Sequence, residues 1–269
     1  MSKDNRLINK KLFRKFNFFY LLVFPFTGAL YGLSVLICKK LNLNFIETAL
    51  ITTMSAQLAP TLAAIISRKR YSQSIPFFVK PKLNWTWLLI ILIPMLSIGS
   101  QHLILQSMGQ TYINSAFFVT PSLIILSVIT TFVGSIGEEI GWRAYLYKTF
   151  RTDIKPLTSS MIVGLAWGLW HFTKIFQFGV IHYLIFTLSV IPISLLMTYL
   201  NDKSGGSILP SILLHTFINL AYMSLLFERE TIVGYIISIS VLTIIILLVR
   251  IVDSGYFNSS RKSRCLKNS

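Results

Sequence analysis

The sequence predicts an all-α, polytopic membrane protein, and three observations lead to that fold class. Of the 269 residues, 54% are hydrophobic and only 13% are charged, whereas soluble domains carry nearer a quarter charged residues. The mean hydropathy is positive. Uncharged runs of about 20 residues, the length that crosses a bilayer as a helix, recur along the chain. We therefore expect a bundle of transmembrane helices that forms a single membrane domain.

About eight transmembrane helices are predicted from these runs. Residues 83–137 contain no Asp, Glu, Lys or Arg, and because 55 residues are too many for one helix, they are assigned to two spans with a break near QSMGQTYINS. The other six spans are predicted at 16–38, 47–67, 157–173, 177–200, 206–227 and 231–250. Residues 1–15 then form a basic N-terminal segment, 16–253 the transmembrane domain and 254–269 a basic tail.

The distribution of basic residues predicts the orientation. Twenty of the 25 Lys and Arg residues fall on one side of the eight-helix arrangement, four fall on the other, and Arg143 lies within a span. The positive-inside rule then places both termini in the cytoplasm. The net charge of +16 is explained by cytoplasmic loops that meet anionic lipid, and it does not call for a nucleic-acid partner.

The N-terminal region and the cysteines add two smaller predictions. Residues 16–38 are uncharged and lack a small-x-small cleavage site, so a retained first span is favoured over a cleaved signal peptide. Cys38 and Cys265 are too few for a disulfide framework or a thiolate metal site. The sequence makes no prediction of the oligomeric state.

Three ionisable residues lie inside the predicted membrane domain, in the stretch GSIGEEIGWRAYLY at 134–147. Charged groups at membrane depth are costly, so they indicate a functional site or a paired structural one. Glu139 and Arg143 are four residues apart and can pair on one helix face. Glu138 is rotated by about 100° from Glu139, which leaves it as a carboxylate without a cation on its own face.

Two later spans carry polar residues at one-turn spacing and at a similar depth. WGLWH places His171 one turn after Trp167, and LLHTFIN places Asn219 one turn after His215. At 1.5 Å per residue from the predicted cytoplasmic helix ends, the carboxylate of Glu138, the two imidazoles and the amide all lie about 15–21 Å deep. We therefore expect these groups to form one site.

This set of groups is suited to the hydrolysis of a peptide bond. A carboxylate beside an imidazole can deprotonate a water molecule as a general base. An imidazole with an amide N–H can stabilise the oxyanion that forms on attack at a carbonyl. No Ser or Cys lies beside a predicted base, so direct attack by water is favoured over a covalent intermediate.

Three motifs resemble those of a known family. GEEIGWR, WGLWH and HTFIN fit the EExxxR, (F/W)xxxH and HxxxN motifs of the CPBP family of intramembrane glutamic endopeptidases. This family includes CAAX prenyl protease 2, lysostaphin-resistance-A-like proteins, and bacteriocin-processing or immunity proteins. The motifs occur in order within a core at about 120–222. The resemblance implies an eight-helix protease of the plasma membrane, in bacteria, that needs no metal or other cofactor, opens toward the cytoplasm and cleaves a membrane-associated peptide or protein.

The resemblance also assigns roles by motif position. Glu138 and His171 would activate the water, and His215 and Asn219 would form the oxyanion hole. The remaining motif residues would support the site: Glu139, Arg143 and Trp167.

Three other functions are compatible with the same residues. Two Glu and two His residues could ligate zinc in a membrane metalloprotease, although HExxH is absent and the pairing with Arg143 would engage Glu139. A non-catalytic immunity protein could bind a toxin or its receptor and use the polar residues only for its fold. A proton-coupled carrier could use Glu138 as a relay, but no inverted repeat is evident. His102 and His182 lie apart from the motifs and are assigned no role.

Overall fold

The computed structural model describes residues 3–109, 119–225 and 231–258, and it describes side chains at 10–109, 119–225 and 231–256. These residues form helices and no strand. The helices are α1 Lys3–Lys40, α2 Phe45–Gln57, α3 Ala59–Arg70, α4 Leu89–Ser107, α5 Pro121–Glu139, α6 Lys148–Phe150, α7 Pro156–Trp170, α8 Lys174–Phe178, α9 Val180–Lys203, α10 Leu209–Leu225, α11 Ile232–Val252 and α12 Ser254–Asn258. A 3-10 turn, Trp85–Leu88, leads into α4, and a π-helical segment, Ile140–Tyr147, joins α5 to α6.

The predicted membrane spans coincide with helices. Among the described residues, six stretches are long and apolar enough to cross a membrane: Lys10–Lys40, Phe45–Arg70, Trp85–Ser107, Pro121–Phe150, Val180–Lys203 and Ile232–Val252. The other two predicted spans correspond to α7, of 15 residues, and α10, of 17 residues. The predicted fold class is confirmed, and the chain is a multi-pass membrane protein.

Two boundaries differ in detail from the predicted ones. α1 already begins at Lys3, so the basic N-terminal segment is continuous with the first span. The predicted second span consists of two helices, α2 and α3, which meet at Leu58 just before Pro60. The predicted break near QSMGQTYINS begins where α4 ends at Ser107, but 110–118 lie outside the described residues. Residues 259–269 of the predicted basic tail also lie outside them.

Local sequence signals explain where several helices begin. Asn44 caps α2 in a reciprocal capping box with Glu47, which satisfies two backbone N–H groups at the helix start. Thr120 caps α5 immediately before Pro121, and proline is favoured at a first helical position because it has no N–H to leave unpaired. Thr231 caps α11. These caps fix the ends of the helices that surround the site.

Small residues allow the central helices to approach closely. α7 packs against α9, and a Cβ atom on Gly168 would lie 2.9 Å from Thr187 Cα. On Gly164 it would lie 2.8 Å from Ser194 Cβ. Close backbone approach at small residues is a common means of helix association in membranes. It holds α7, which carries Trp167 and ends just before His171, against α9.

The two ends of the bundle differ in charge. The basic end comprises the segments 10–15, 68–84, 148–156, 203–209 and 250–256. The far end comprises the segments 39–45, 119–121, 171–180 and 231–232, together with Ser107 and Leu225, at which α4 and α10 end.

Contacts between the segments hold the basic end together. The Tyr71 hydroxyl donates to the carbonyl of Arg14 at 3.3 Å, which joins the end of α3 to α1. The N–H of Lys82 donates to the carbonyl of Ser204 at 3.0 Å. Asp202 accepts hydrogen bonds from two tyrosine hydroxyls across this end. The basic segments therefore lie at one end of the bundle.

Candidate active site

The two adjacent glutamates and Arg143 lie where α5 changes into the π-helical segment. Glu138 is 1% exposed, and Glu139 and Arg143 are fully buried. Arg143 Nη1 donates to Glu139 Oε1 at 2.8 Å, which is the contact that the i,i+4 spacing predicts. Single π-helical turns inside α-helices often occur at functional sites, and here the irregular turn carries the arginine of the motif.

Glu138 accepts hydrogen bonds only from neutral donors among the described residues. Gln57 Nε2 donates to Oε1 at 2.7 Å, and Trp167 Nε1 donates to Oε2 at 2.5 Å. Trp167 was expected to pack against the site, and in the structure it also binds the carboxylate. Gln57 was not identified from the sequence, since it belongs to no motif. The signal available in the sequence was that Gln57 is an uncharged polar residue close to Pro60 within the predicted span 47–67.

Three glycines bring Gln57 to the carboxylate. Gly134, Gly137 and Gly141 lie on the side of α5 and the π-helical segment that faces the junction of α2 and α3. A Cβ atom on Gly137 would lie 2.6 Å from the backbone oxygen of Gln57, and one on Gly134 would overlap its side-chain amide. The GSIGEEIG sequence therefore supplies a surface without side chains, and the end of α2 packs directly on it.

Both motif histidines have a defined partner for Nδ1. His215 Nδ1 lies 2.9 Å from Glu139 Oε1, and His171 Nδ1 lies 2.8 Å from the backbone oxygen of Trp167. A carbonyl oxygen only accepts hydrogen bonds, so Nδ1 of His171 carries the proton. In its neutral form this ring presents Nε2 as an acceptor.

Trp167 links the separate parts of the site. Its ring centroid is 5.2 Å from that of His215 and 6.2 Å from that of His171. The guanidinium carbon of Arg143 lies 4.1 Å from the same ring, within the range of a cation–π interaction. The indole therefore contacts both motif histidines and the buried cation, and it donates to Glu138.

One cavity brings together the residues that were predicted to be catalytic. It has a volume of about 370 Å³, within the range of ligand-binding pockets. Its lining includes the following motif residues and the newly identified amide: Glu138, Trp167, His171, His215, Asn219 and Gln57. Glu139 and Arg143 lie behind this lining and contact it through His215 and Trp167. His102 and His182 do not line it.

The possible metal ligands are engaged by other protein groups. Glu139 binds Arg143 and His215, and both oxygens of Glu138 accept protein hydrogen bonds. Among the described residues, no group of three or more His, Cys, Asp or Glu side chains is arranged to hold a metal ion. Glu138, Glu139 and His215 therefore belong to a network of protein hydrogen bonds.

The direction in which the cavity extends bears on two expectations drawn from the sequence: a cytoplasmic basic end and a site that opens toward the cytoplasm. Most of its lining residues lie toward the far end, whereas Glu138 and His215 lie in the halves of α5 and α10 nearer the basic end, so the cavity extends from the middle of the bundle toward the far end. The charge distribution predicts a cytoplasmic basic end, whereas the family resemblance implies a site that opens toward the cytoplasm. For a cavity that extends toward the far end, these two expectations point to opposite ends of the bundle.

Comparisons with known proteins agree with the motif assignment. Residues 120–221 match the family described as type II CAAX prenyl endopeptidase Rce1-like. CAAX prenyl protease 2 from Methanococcus maripaludis is 31% identical over 121 residues, which cover 41% of this chain and 43% of that protein. The match thus spans less than half the length of this curated relative. Both findings confirm the family recognition that was drawn from the three motifs.

Proposed function

We propose that this protein is an intramembrane endopeptidase that hydrolyses a peptide bond by direct attack of water. The observation that carries the proposal is one cavity to which α5, the end of α7 and α10 bring a carboxylate, two imidazoles and an amide. The family match to CAAX prenyl endopeptidases supports the same class of reaction.

Glu138 and His171 are the pair that activates the water in this proposal. Each oxygen of Glu138 accepts one hydrogen bond from a neutral donor and retains a second lone pair for water. His171, with its proton on Nδ1, offers Nε2 as a second acceptor. A water held between them loses a proton as its oxygen attacks the carbonyl carbon. The same proton is then delivered to the leaving amine when the C–N bond breaks.

His215 and Asn219 are the pair that stabilises the oxyanion. An ionised Glu139 can only accept from His215 Nδ1, so the ring donates to an oxyanion from Nε2 only when it is an imidazolium. The side-chain amide of Asn219, one turn further along α10 and on the cavity wall, provides the second donor. Two such donors in a site with little water are a common means of lowering the barrier to acyl transfer.

Arg143 has a positioning role in the proposed mechanism. It holds Glu139 at 2.8 Å and packs over the ring of Trp167 at 4.1 Å. It therefore fixes the orienting carboxylate of His215 and, through the indole, the hydrogen bond to Glu138.

The test is a comparison of protein N-termini in membranes from cells that express equal amounts of three proteins: wild type, Glu138→Gln and Glu47→Gln. Glu47 forms the capping box at the start of α2, outside the cavity, and glutamine supports the same cap. New N-termini should appear with wild type and Glu47→Gln and be absent with Glu138→Gln. Identical N-termini in all three would contradict the protease assignment and favour a binding function.

A further inference from the structure

A groove lies at the basic end of the bundle, separate from the central cavity. It has a volume of about 410 Å³, and its lining consists of Ile65, Arg68, Lys69, Gln73 and Phe77. The first three belong to the last turns of α3, and the other two belong to the segment that follows this helix. None of these residues lines the central cavity, so the groove has no part in the proposed reaction.

The groove spans the boundary between the apolar interior of a membrane and its headgroup region. Ile65 and Ile66 are 48% and 40% exposed, and they belong to a stretch that is long and apolar enough to cross a membrane, so these surfaces face lipid chains. Arg68 and Lys69 follow in the last turn of α3, about 5 Å further toward the basic end at 1.5 Å per residue. Apolar side chains on the membrane side and cations on the basic side match the two parts of a phospholipid.

Contacts within the protein hold the Arg68 side chain in place. Its Nε donates to the carbonyl of Gln73 at 3.2 Å. Its guanidinium carbon lies 5.0 Å from the centroid of the Phe77 ring, within the range of a cation–π interaction. Neither Nη group donates to another of the described residues. The guanidinium is therefore fixed at Nε and keeps its Nη donors for a phosphate, which arginine binds through paired hydrogen bonds.

The charges around the groove favour an anion. Residues 48–137 contain no Asp or Glu, and no ion pair among the described residues includes Arg68 or Lys69. Lys148 adds a further cation beside the groove, since its Nζ donates to the carbonyl of Pro76 at 3.0 Å. Lipid phosphates are the anions that basic residues meet at the surface of a membrane.

The groove also contains a hydrogen-bond acceptor. Gln73 Nε2 donates to Thr149 Oγ1 at 3.3 Å, while Gln73 Oε1 is buried and accepts no hydrogen bond from the described residues. A buried carbonyl oxygen without a donor is costly. A ligand that brings a hydroxyl group close to its phosphate would satisfy this atom. Phosphatidylglycerol has this combination, because its headgroup joins a singly charged phosphate diester to a glycerol with free hydroxyl groups.

We propose that this groove binds one anionic phospholipid with a hydroxyl-bearing headgroup, of the phosphatidylglycerol type, from the leaflet at the basic end. The phosphate accepts hydrogen bonds from Arg68 and Lys69, a headgroup hydroxyl donates to Gln73 Oε1, and an acyl chain lies along Ile65. The lipid thereby joins the end of α3 to the segment that follows it. This inference does not depend on the proposed protease activity.

The test measures the binding of single lipids to the purified full-length protein in detergent, by native mass spectrometry. The probes are phosphatidylglycerol, phosphatidylmethanol, which has the same charge and no headgroup hydroxyl, and the zwitterionic phosphatidylcholine. The groove variants are Lys69→Gln alone and Arg68→Gln combined with Lys69→Gln. The matched control is Lys80→Gln combined with Lys155→Gln, which removes the same charge from exposed positions of the basic end outside the groove.

The wild type and the control should bind phosphatidylglycerol with the same Kd and bind phosphatidylcholine more weakly. The Kd should rise roughly tenfold or more in the double groove variant, since charge-assisted hydrogen bonds to the phosphate are lost, and by a smaller factor in Lys69→Gln. Equal weakening in the control and the groove variants would overturn the proposal, because binding would then follow the overall charge.

Two further comparisons test the parts of the ligand. Equal affinity of the wild type for phosphatidylglycerol and phosphatidylmethanol would overturn the hydrogen bond to Gln73. Displacement of the lipid by soluble glycerol phosphate at similar concentration would overturn the lipid assignment, since the acyl chain would then contribute nothing.

Thermal unfolding provides a second readout of the same binding. Phosphatidylglycerol should raise the Tm of the wild type and the control more than phosphatidylcholine does, because a ligand that binds only the folded state stabilises it. The rise should be absent in the double groove variant and reduced in Lys69→Gln. Because Lys69 is exposed, its replacement leaves the packing intact, and an undiminished rise in Lys69→Gln would overturn its contact with the phosphate even if the double variant does not fold.

Discussion

Replacing Gly134 by alanine separates the positioning of Glu138 from the stability of the fold. A Cβ atom at this position would overlap Gln57 Oε1 and lie 2.7 Å from its Cδ. These atoms are the end of a flexible side chain, and the added carbon lies 3.4 Å from Gln57 Cβ, so the amide can move aside without displacing the backbone. The movement removes the 2.7 Å hydrogen bond from Gln57 to Glu138.

The expected loss of activity follows from that hydrogen bond. A hydrogen bond to a charged group contributes about 1.5–3 kcal/mol, and about 1.36 kcal/mol corresponds to a tenfold change in rate. We therefore expect kcat/KM to fall roughly tenfold to a hundredfold, measured with a peptide that contains the cleaved sequence. The lost hydrogen bond also lowers the stability of the fold, and the preference for alanine over glycine in a helix interior, about 0.5–1 kcal/mol, offsets only part of that loss, so the Tm in detergent should fall slightly.

Gly28→Ala is the matched control for this substitution. Gly28 also lies inside a helix, and a Cβ atom there would meet nothing within 4 Å. It should show the same gain in helix stability with unchanged kcat/KM. Full activity in Gly134→Ala would refute the role given to Gln57, and a large drop in Tm would refute the argument that only the amide moves.

Three further predictions address the rest of the network. Glu139→Gln leaves Arg143 as a buried cation without its ion-pair partner, so the free energy of unfolding should fall by about 3–5 kcal/mol. In thermal unfolding, its Tm should fall much further than that of Glu47→Gln. Equal falls in Tm would contradict the buried ion pair. Trp167→Phe removes the indole N–H that binds Glu138 and keeps a smaller ring for Arg143 to pack on, so kcat should fall about tenfold. The smaller ring leaves a cavity at this buried position, so the Tm should also fall. Unchanged kcat would argue against that hydrogen bond. Incubation with a zinc chelator should leave the rate of peptide cleavage unchanged, whereas a loss that added zinc restores would establish the metalloprotease alternative.

The sequence was sufficient for the helices and for the motif residues that line the cavity. Uncharged runs located the apolar helices of the described residues, six of them long enough to cross a membrane, because the bilayer permits few charges and requires a minimum helix length. The i,i+4 spacing of Glu139 and Arg143 predicted their contact, since it depends on local helix geometry. The similar depths of His171 and His215 predicted their convergence on one cavity.

Features that depend on packing between helices were not predictable in the same way. Gln57 reaches Glu138 only because α5 lacks side chains at Gly134 and Gly137, and a single sequence does not reveal which helices approach each other. The π-helical turn at 140–147 has no simple sequence signal. The course of the cavity depends on which side chains of different helices meet around it.

The adjacent carboxylates differ in the charge of their partners, and this difference suits them to different tasks. Glu139 contacts the Arg143 guanidinium and His215, so its negative charge is balanced by a fixed cation whatever happens in the cavity. Glu138 receives hydrogen bonds only from an amide and an indole among the described residues, and neither of these neutral donors balances a full charge. Protonation of Glu139 would leave Arg143 without its ion-pair partner and is therefore costly. Protonation of Glu138 leaves no cation unpaired and costs much less. In the proposed reaction Glu138 is thus the carboxylate that takes and returns the proton of the attacking water, while Glu139 remains the ionised anchor of His215.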